Sequence, residues 1–355
     1  LKNRPVPTRG DDLSECLESL IDGFAAIKAR CPGPPVAISF AFPGPADYPA
    51  GIIGDLPNLP AFRGGVALGP MLAERFQLPV LVNNDGDLFA FGEAIAGFLP
   101  FANGLLQEAG TQKRYKNLLG ITLGTGFGGG IVHHGELFAG DNSAAGEVWL
   151  LRNKLDPDVN AEEGASIRAV RRVYAELAGG GFDRAPDPKI IGRIARGIEP
   201  GDRTAAVEAY RRLGEVAGDA IAQALTLIDG LVVIGGGLAK GADLFLPALV
   251  GAMNDRFGKS GGKLRRLGPQ AFNFEDPKQR ERFLGESSSV CTVPGSSRTV
   301  AHDQMPRTAV GVSRLGTSEA ITLGAYALAL RALDAEPKMH SQKRSRKRVG
   351  LRAYP

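Results

Sequence analysis

Between Leu119 and Glu147 the chain reads LGITLGTGFGGGIVHHGELFAGDNSAAGE, with six glycines among the twelve residues that follow Leu119. Glycine at that density works against a helix, since each one costs about 1 kcal/mol relative to alanine. The apolar runs LLGITLG and GGGIVHH on either side read as strands joined through the glycines. A permissive backbone has two uses here. It lets a hairpin turn, and it lets successive N–H groups line an anion-binding concavity, with the Thr125 hydroxyl as a further donor. No Gly-Lys-Ser/Thr follows, so this is no Walker loop, and the spacing is not that of a dinucleotide fingerprint. On local grounds both uses stay open.

The rest of the chain alternates the two periodicities. Leu13, Cys16, Leu17, Leu20, Ile21 and Phe24 recur at helical spacing, which predicts a helix capped by Asp11 or Asp12 and running to about Arg30. VAISFA, PVLVNN and LVVIGGG read as strands, interleaved with helices over 68–76, 88–96, 161–178, 204–228 and 242–254. FPGPADYPAGIIGDLPNLP is too rich in Pro and Gly for a packed element and reads as a loop. Alternating strands and helices predict an α/β class with covered sheets. The expected organisation is an N-terminal α/β domain over 1–116 and a C-terminal α/β domain over 117–318, the latter carrying an irregular insertion at 256–318. An apolar helix over 319–335 closes the fold, and a basic, unstructured tail follows over 336–355.

Composition narrows the partners. The chain is 43% hydrophobic and 23% charged, as a globular protein is, and no apolar run reaches the roughly 18 residues that cross a bilayer. No membrane partner is expected. The net charge of +4 is local: Lys338, Lys343, Arg344, Arg346, Lys347, Arg348 and Arg352 lie in residues 338–355, and removing these seven leaves −3. The tail reads as a solvated terminus, so no nucleic-acid partner is expected. Three widely spaced cysteines with no CxxC pair argue against a disulfide framework and suit a reducing cytoplasm.

Four constellations carry chemistry. In VNNDGDLFAFGEA a buried strand delivers Asn84, Asp85 and Asp87 to a helix start. Ligands of α/β sheets gather at the carboxyl ends of strands, where Asp85 could take a proton from a hydroxyl, although both aspartates could also simply cap the helix. Asp87 reads as the cap. The glycine run supplies Gly124, Thr125, Gly126 and Gly128; His133 and His134 beside it read as an exposed turn, since no third metal ligand is in range. SAAGE brings small residues and then Glu147. LVVIGGGLAK puts Gly236 and Gly237 between a strand and a helix, where the chain can pass close to a nucleotide or merely turn.

Taken in order, AISFAFPGPAD, GDLPNLPAF, LPVLVNNDGDLFAFGEA, the glycine run through AAGE, LVVIGGGLAK and LGAYALAL resemble the ROK family of repressors, open reading frames and kinases. The likeness is close over 36–164 and looser beyond. It implies an actin-like, ribonuclease-H-like two-domain sugar kinase fold with a sugar and ATP cleft, ATP and Mg2+ as cofactors, a small-molecule sugar substrate and a homodimer. Asp85 matches the family's catalytic base, which deprotonates the attacking sugar hydroxyl. Asn58, Asn84, Glu147 and, across a gap, Glu162 match sugar-holding residues. Gly124, Thr125, Gly126 and Gly128 match the second phosphate loop, and Gly236 and Gly237 the nucleotide-side turn.

The chain also departs from the family. Leu150 stands where the family has a histidine after its GAAGE glutamate, and LRNKLDPDVNAEE lacks the CxCGxxGC segment, so no zinc is expected. Family kinases open with a DxGGTK-type phosphate loop, and none precedes Pro5; the chain is expected to begin short of it. No repressor-type helix-turn-helix is expected ahead of Asp11. A non-catalytic sugar-binding ROK protein is the alternative these departures raise.

Overall fold

A computed structural model describes residues 10–56, 59–258, 262–285 and 288–346. They form two compact units, Leu1–Asp85 with Thr322–Pro355, and Gly86–Ile321. The units divide at Asp85, upstream of the 116/117 boundary expected from the sequence.

In the first unit, helix α1 (Leu13–Lys28) starts where the Asp12 carboxylate accepts the Glu15 N–H at 3.0 Å. Strands β1 (Ile38–Ala41), β2 (Ala46–Asp47) and β3 (Ile52–Ile53), helix α2 (Leu68–Phe76) and strand β4 (Val80–Asn83) follow. β1 and β4 pair in parallel, and β2 and β3 form a short antiparallel ladder. The proline-rich loop is more structured than its composition suggests. Tyr48, Ile53, Leu56 and Phe62 are buried in one core with Cys16, Leu68, Leu72 and Val82.

The second unit holds α3 (Asp85–Ile95, from its second residue), α4 (Phe98–Glu108), β5 (Leu118–Leu123), β6 (Phe127–His133), β7 (Glu136–Leu137), α5 (Ile167–Leu177), α6 (Pro188–Ala195) and α7 (Arg203–Ile228). β8 (Leu231–Gly235), α8 (Ala242–Met253), β9 (Gln270–Asn273), α9 (Pro277–Leu284), β10 (Ser288–Thr292), β11 (Thr299–Asp303) and β12 (Arg307–Val312) complete it, and α10 (Thr317–Arg346) starts there. A six-stranded sheet runs in the order β7-β6-β5-β8-β12-β9. β5, β8, β12 and β9 are parallel, while β6 and β7 extend one edge as antiparallel hairpins. β8 is buried at every position, as a strand covered on both faces must be.

Four sequence expectations are corrected. Residues 256–318 are no irregular insertion, since they supply β9 and β12, and β12 lies between β8 and β9 inside the sheet. The tail expected to be unstructured from 336 continues α10 to Arg346; residues 347–355 lie outside the described part. The helix expected over 161–178 is two elements: a 3-10 turn at Ala161–Glu163, then α5, whose start the Ser166 hydroxyl caps through the Ala169 N–H. Asp85–Glu108 also has the length and mean hydropathy of a membrane-crossing helix, against the reading that no apolar run is long enough. It breaks between α3 and α4 at Gly97, and 56% of its most apolar window is buried within the protein. It is a core segment.

Candidate functional site

The register of the large sheet brings two glycine turns together. Thr122 on β5 pairs with Gly235 on β8, so both strands end at the same edge, where ligands of α/β sheets gather. Residues Gly124–Gly126 form the tip of the β5–β6 hairpin, closed by the Gly124 N–H donating to the Gly126 carbonyl at 3.0 Å. Thr125 is exposed at that tip. Gly236 follows β8 with φ +86°, and a Cβ there would lie 2.1 Å from the Leu123 carbonyl oxygen. Only glycine fits both that dihedral and that contact. The nearest atom to a Cβ on Gly124 would be the Gly237 nitrogen, 4.0 Å away, and a Cβ on Gly237 would meet open space. The Gly236 N–H is already engaged, donating to Thr317 Oγ1 at 2.8 Å.

Within β6 the glycines do a different job. A Cβ on Gly130 would lie 2.5 Å from the Gly86 carbonyl oxygen and 2.7 Å from Asp87 Cα. A Cβ on Gly129 would lie 2.7 Å from the Gly146 carbonyl oxygen. Neighbouring residues of a strand face opposite sides. Bare backbone therefore lets the start of α3 press on one face of β6 and the SAAGE segment on the other. Gly128 lies in the ladder opposite Thr122, outside the hairpin tip. None of these strand and tip glycines has the positive φ that the sequence allowed for. Close approach of backbone is what requires Gly129 and Gly130.

Asp85 follows β4 as the first residue of α3 and is exposed. A carboxylate is favoured there by the helix dipole. Asp87, expected as a cap, is 3% exposed in the first turn. Asn84 donates through Nδ2 to the Tyr48 hydroxyl at 3.4 Å, and that hydroxyl donates to the Phe42 carbonyl at 3.0 Å. Asn58 lies outside the described residues. Glu147 is exposed and precedes a 3-10 turn at Val148–Leu150, with Oε2 accepting the Trp149 indole N–H.

Glu162 has both oxygens engaged. Oε2 accepts the Phe127 N–H at 3.1 Å, and Oε1 pairs with Arg168 at 3.2 Å. It therefore braces the base of the glycine hairpin. Arg168 also reaches Glu163, whose carboxyl lies below its ordinary pKa because Arg172 donates to it, with the nearby charges of Arg168 and Arg172 adding to the effect. Beside Glu147 opens a groove of about 810 Å³, lined by Ile131, Phe138, Val148, Leu151 and Leu227 among others. Its polar members are Glu147 itself, His133, Gln223, Thr226 and Arg266.

One buried acid carries no obvious sequence signal. Glu93 is fully buried and accepts from the Ser313 hydroxyl, the Phe98 N–H at 2.7 Å and the Leu315 N–H at 3.3 Å. It thereby fixes the turn that presents Thr317 to Gly236. Only its place in FGEA, directly before the apolar AIAGFL, could have hinted at burial.

The sequence profile of the ROK family matches residues 1–260. A glucokinase from Parabacteroides distasonis, known from a crystal structure, is 52% identical, with 92% of this chain and 89% of that chain covered and a TM-score of 0.83. The glucokinase of Streptomyces coelicolor is 28% identical over 263 residues, which cover 68% of this chain and 75% of its own. The N-acetyl-D-glucosamine kinase of Vibrio cholerae is 29% identical over 249 residues, covering 66% and 76%. The fold is accordingly the actin-like, ribonuclease-H-like α/β fold.

Proposed function

The chain belongs to the ROK family, and from that premise we propose that it transfers the γ-phosphoryl group of ATP to a hydroxyl of a hexose or hexose derivative. One arrangement carries the reading. The Gly124–Gly126 tip and the Gly236–Gly237 turn leave the same sheet edge side by side, while β6 holds the α3 start on one face and the segment ending in Glu147 on the other. Phosphate recognition needs close backbone, and sugar recognition needs carboxylate acceptors. The similarity to kinases named for glucose and N-acetyl-D-glucosamine points the same way.

In this mechanism Asp85 accepts the proton of the sugar hydroxyl as its oxygen attacks the γ-phosphorus. The bond to the β–γ bridging oxygen breaks, and ADP leaves. Asn84, Asn58 and Glu147 hold the sugar. Thr125, Gly124, Gly126 and Gly237 lie along the phosphates, while Glu162, Gly128 and Gly236 keep that backbone in place. Among the described residues no group of three or more His, Cys, Asp or Glu side chains could hold a metal. In this reading magnesium would arrive on the ATP phosphates and would offset their charge during transfer. A homodimer in the cytoplasm belongs to the same reading.

A coupled ADP-release assay over glucose, mannose, galactose and their N-acetylamino derivatives tests it. Turnover is expected with at least one sugar, and Asp85→Asn should lower kcat by about 10²–10⁴ with the circular dichroism spectrum unchanged. Absence of ADP release with every sugar would sink the proposal. Leu150, 60% exposed in place of the family's histidine, favours a second reading as a non-catalytic sugar-binding protein. Calorimetric binding of sugar without binding of ATP would select that one.

A further inference from the structure

Trp149 is the only tryptophan in the chain, and its indole N–H donates to Glu147 Oε2. We propose that Trp149 is the positioning residue of the sugar-holding carboxylate, fixing Glu147 so that Oε1 is the oxygen presented to a hexose hydroxyl. The inference rests on the sugar-kinase reading and deepens it.

Glu147 is exposed, and a glutamate side chain in water samples many rotamers. Its neighbour is anchored. Trp149 is half-buried and packs against the large core together with Ile131 and Leu151, while Val148 before it is 4% exposed. A ring held on a core presents its N–H in one direction, and a carboxylate hydrogen-bonded to it takes up that geometry before any substrate arrives. The indole has a single donor and no acceptor, so once that N–H is engaged Trp149 offers a sugar nothing polar of its own. Leu150, 60% exposed and apolar, offers nothing either. Among Glu147, Val148, Trp149 and Leu150, recognition of the substrate thus falls to Glu147, and its aim is set by Trp149. Packing alone would need only the ring. The N–H bond to an exposed carboxylate adds nothing to the core, and this separates a positioning role from a merely structural one.

The sole tryptophan is also its own reporter. Emission excited in the tryptophan band should change as a hexose occupies Glu147, and the change should saturate in step with the sugar KM of the wild-type protein. Trp149→Phe keeps the ring and removes the donor. It should raise the sugar KM by about tenfold or more, the scale of a lost hydrogen bond to a charged group, while kcat and the KM for ATP change by less than about twofold. The emission titration uses unaltered protein and so does not depend on the variant folding. If the wild-type protein releases ADP with a sugar but its emission does not respond, or the Phe variant keeps the wild-type sugar KM, the positioning role is overturned and the kinase reading stands. A wild-type protein with neither ADP release nor an emission change overturns both.

Discussion

Gly129 and Gly130 show why a glycine run cannot be interpreted one residue at a time. Both lie in a strand and neither has a positive φ, yet each faces backbone that a methyl group would strike, the Gly146 carbonyl on one side and Gly86–Asp87 on the other. Gly130→Ala should therefore destabilise by about 1–3 kcal/mol, the usual cost of overpacking, and should displace the start of α3. Urea unfolding would measure the first, and a loss of kcat larger than the loss of folded protein would report the second. A variant as stable as the wild type would mean that the α3–β6 contact yields. At this scale the residue types Asp85 and Glu147 were legible, because a carboxylate after a strand and an acid after small residues stand out. The engagement of Glu162 with the Phe127 N–H was not, because it joins residues thirty-five positions apart.

Among the elements, the strong periodicities were readable and the short buried pieces were not. α2 occupies the predicted span, and α7 and α8 come within one residue of theirs, because each has an apolar stripe several turns long. β12 escaped notice because a parallel strand covered on both faces needs only a few apolar residues, and its first residue is an arginine. Arg307 is nevertheless buried, with its guanidinium donating to the Phe283 carbonyl at 2.7 Å and to Asp303. A buried phenol gives α7 a measurable signature. The Tyr210 hydroxyl donates to the Pro188 carbonyl at the start of α6, and burial pushes its pKa from 10.0 up to about 12. A group that holds its proton longer when folded stabilises the fold fully below the unfolded value. That contribution is lost as pH rises from about 10 to about 12, at up to about 1.4 kcal/mol per unit. Tyr115 is raised by burial as well. Wild-type stability should fall across this window, and Tyr210→Phe should make the fall shallower; denaturant titrations along the pH series would show it, and an unchanged slope would exclude Tyr210 as the source.

For the whole molecule, the clearest expectation concerns metal. The described residues offer no cluster of metal-ligating side chains, and the segment after Glu147 is held by core packing at Val148 and by the Asn160-capped turn that carries Glu162. A chelator should leave the melting temperature unmoved and, if the kinase reading holds, stop turnover alone. A fall of several degrees would reveal a structural metal. The sequence by itself determined the class of fold and the family, and it singled out Asp85, Glu147 and the paired glycine turns as candidates, because periodicity and residue type are local properties of the chain. Tertiary structure alone decided what each of those residues touches. Which glycines turn, which admit backbone, and which N–H groups are already engaged all depend on atoms brought together from distant parts of the chain.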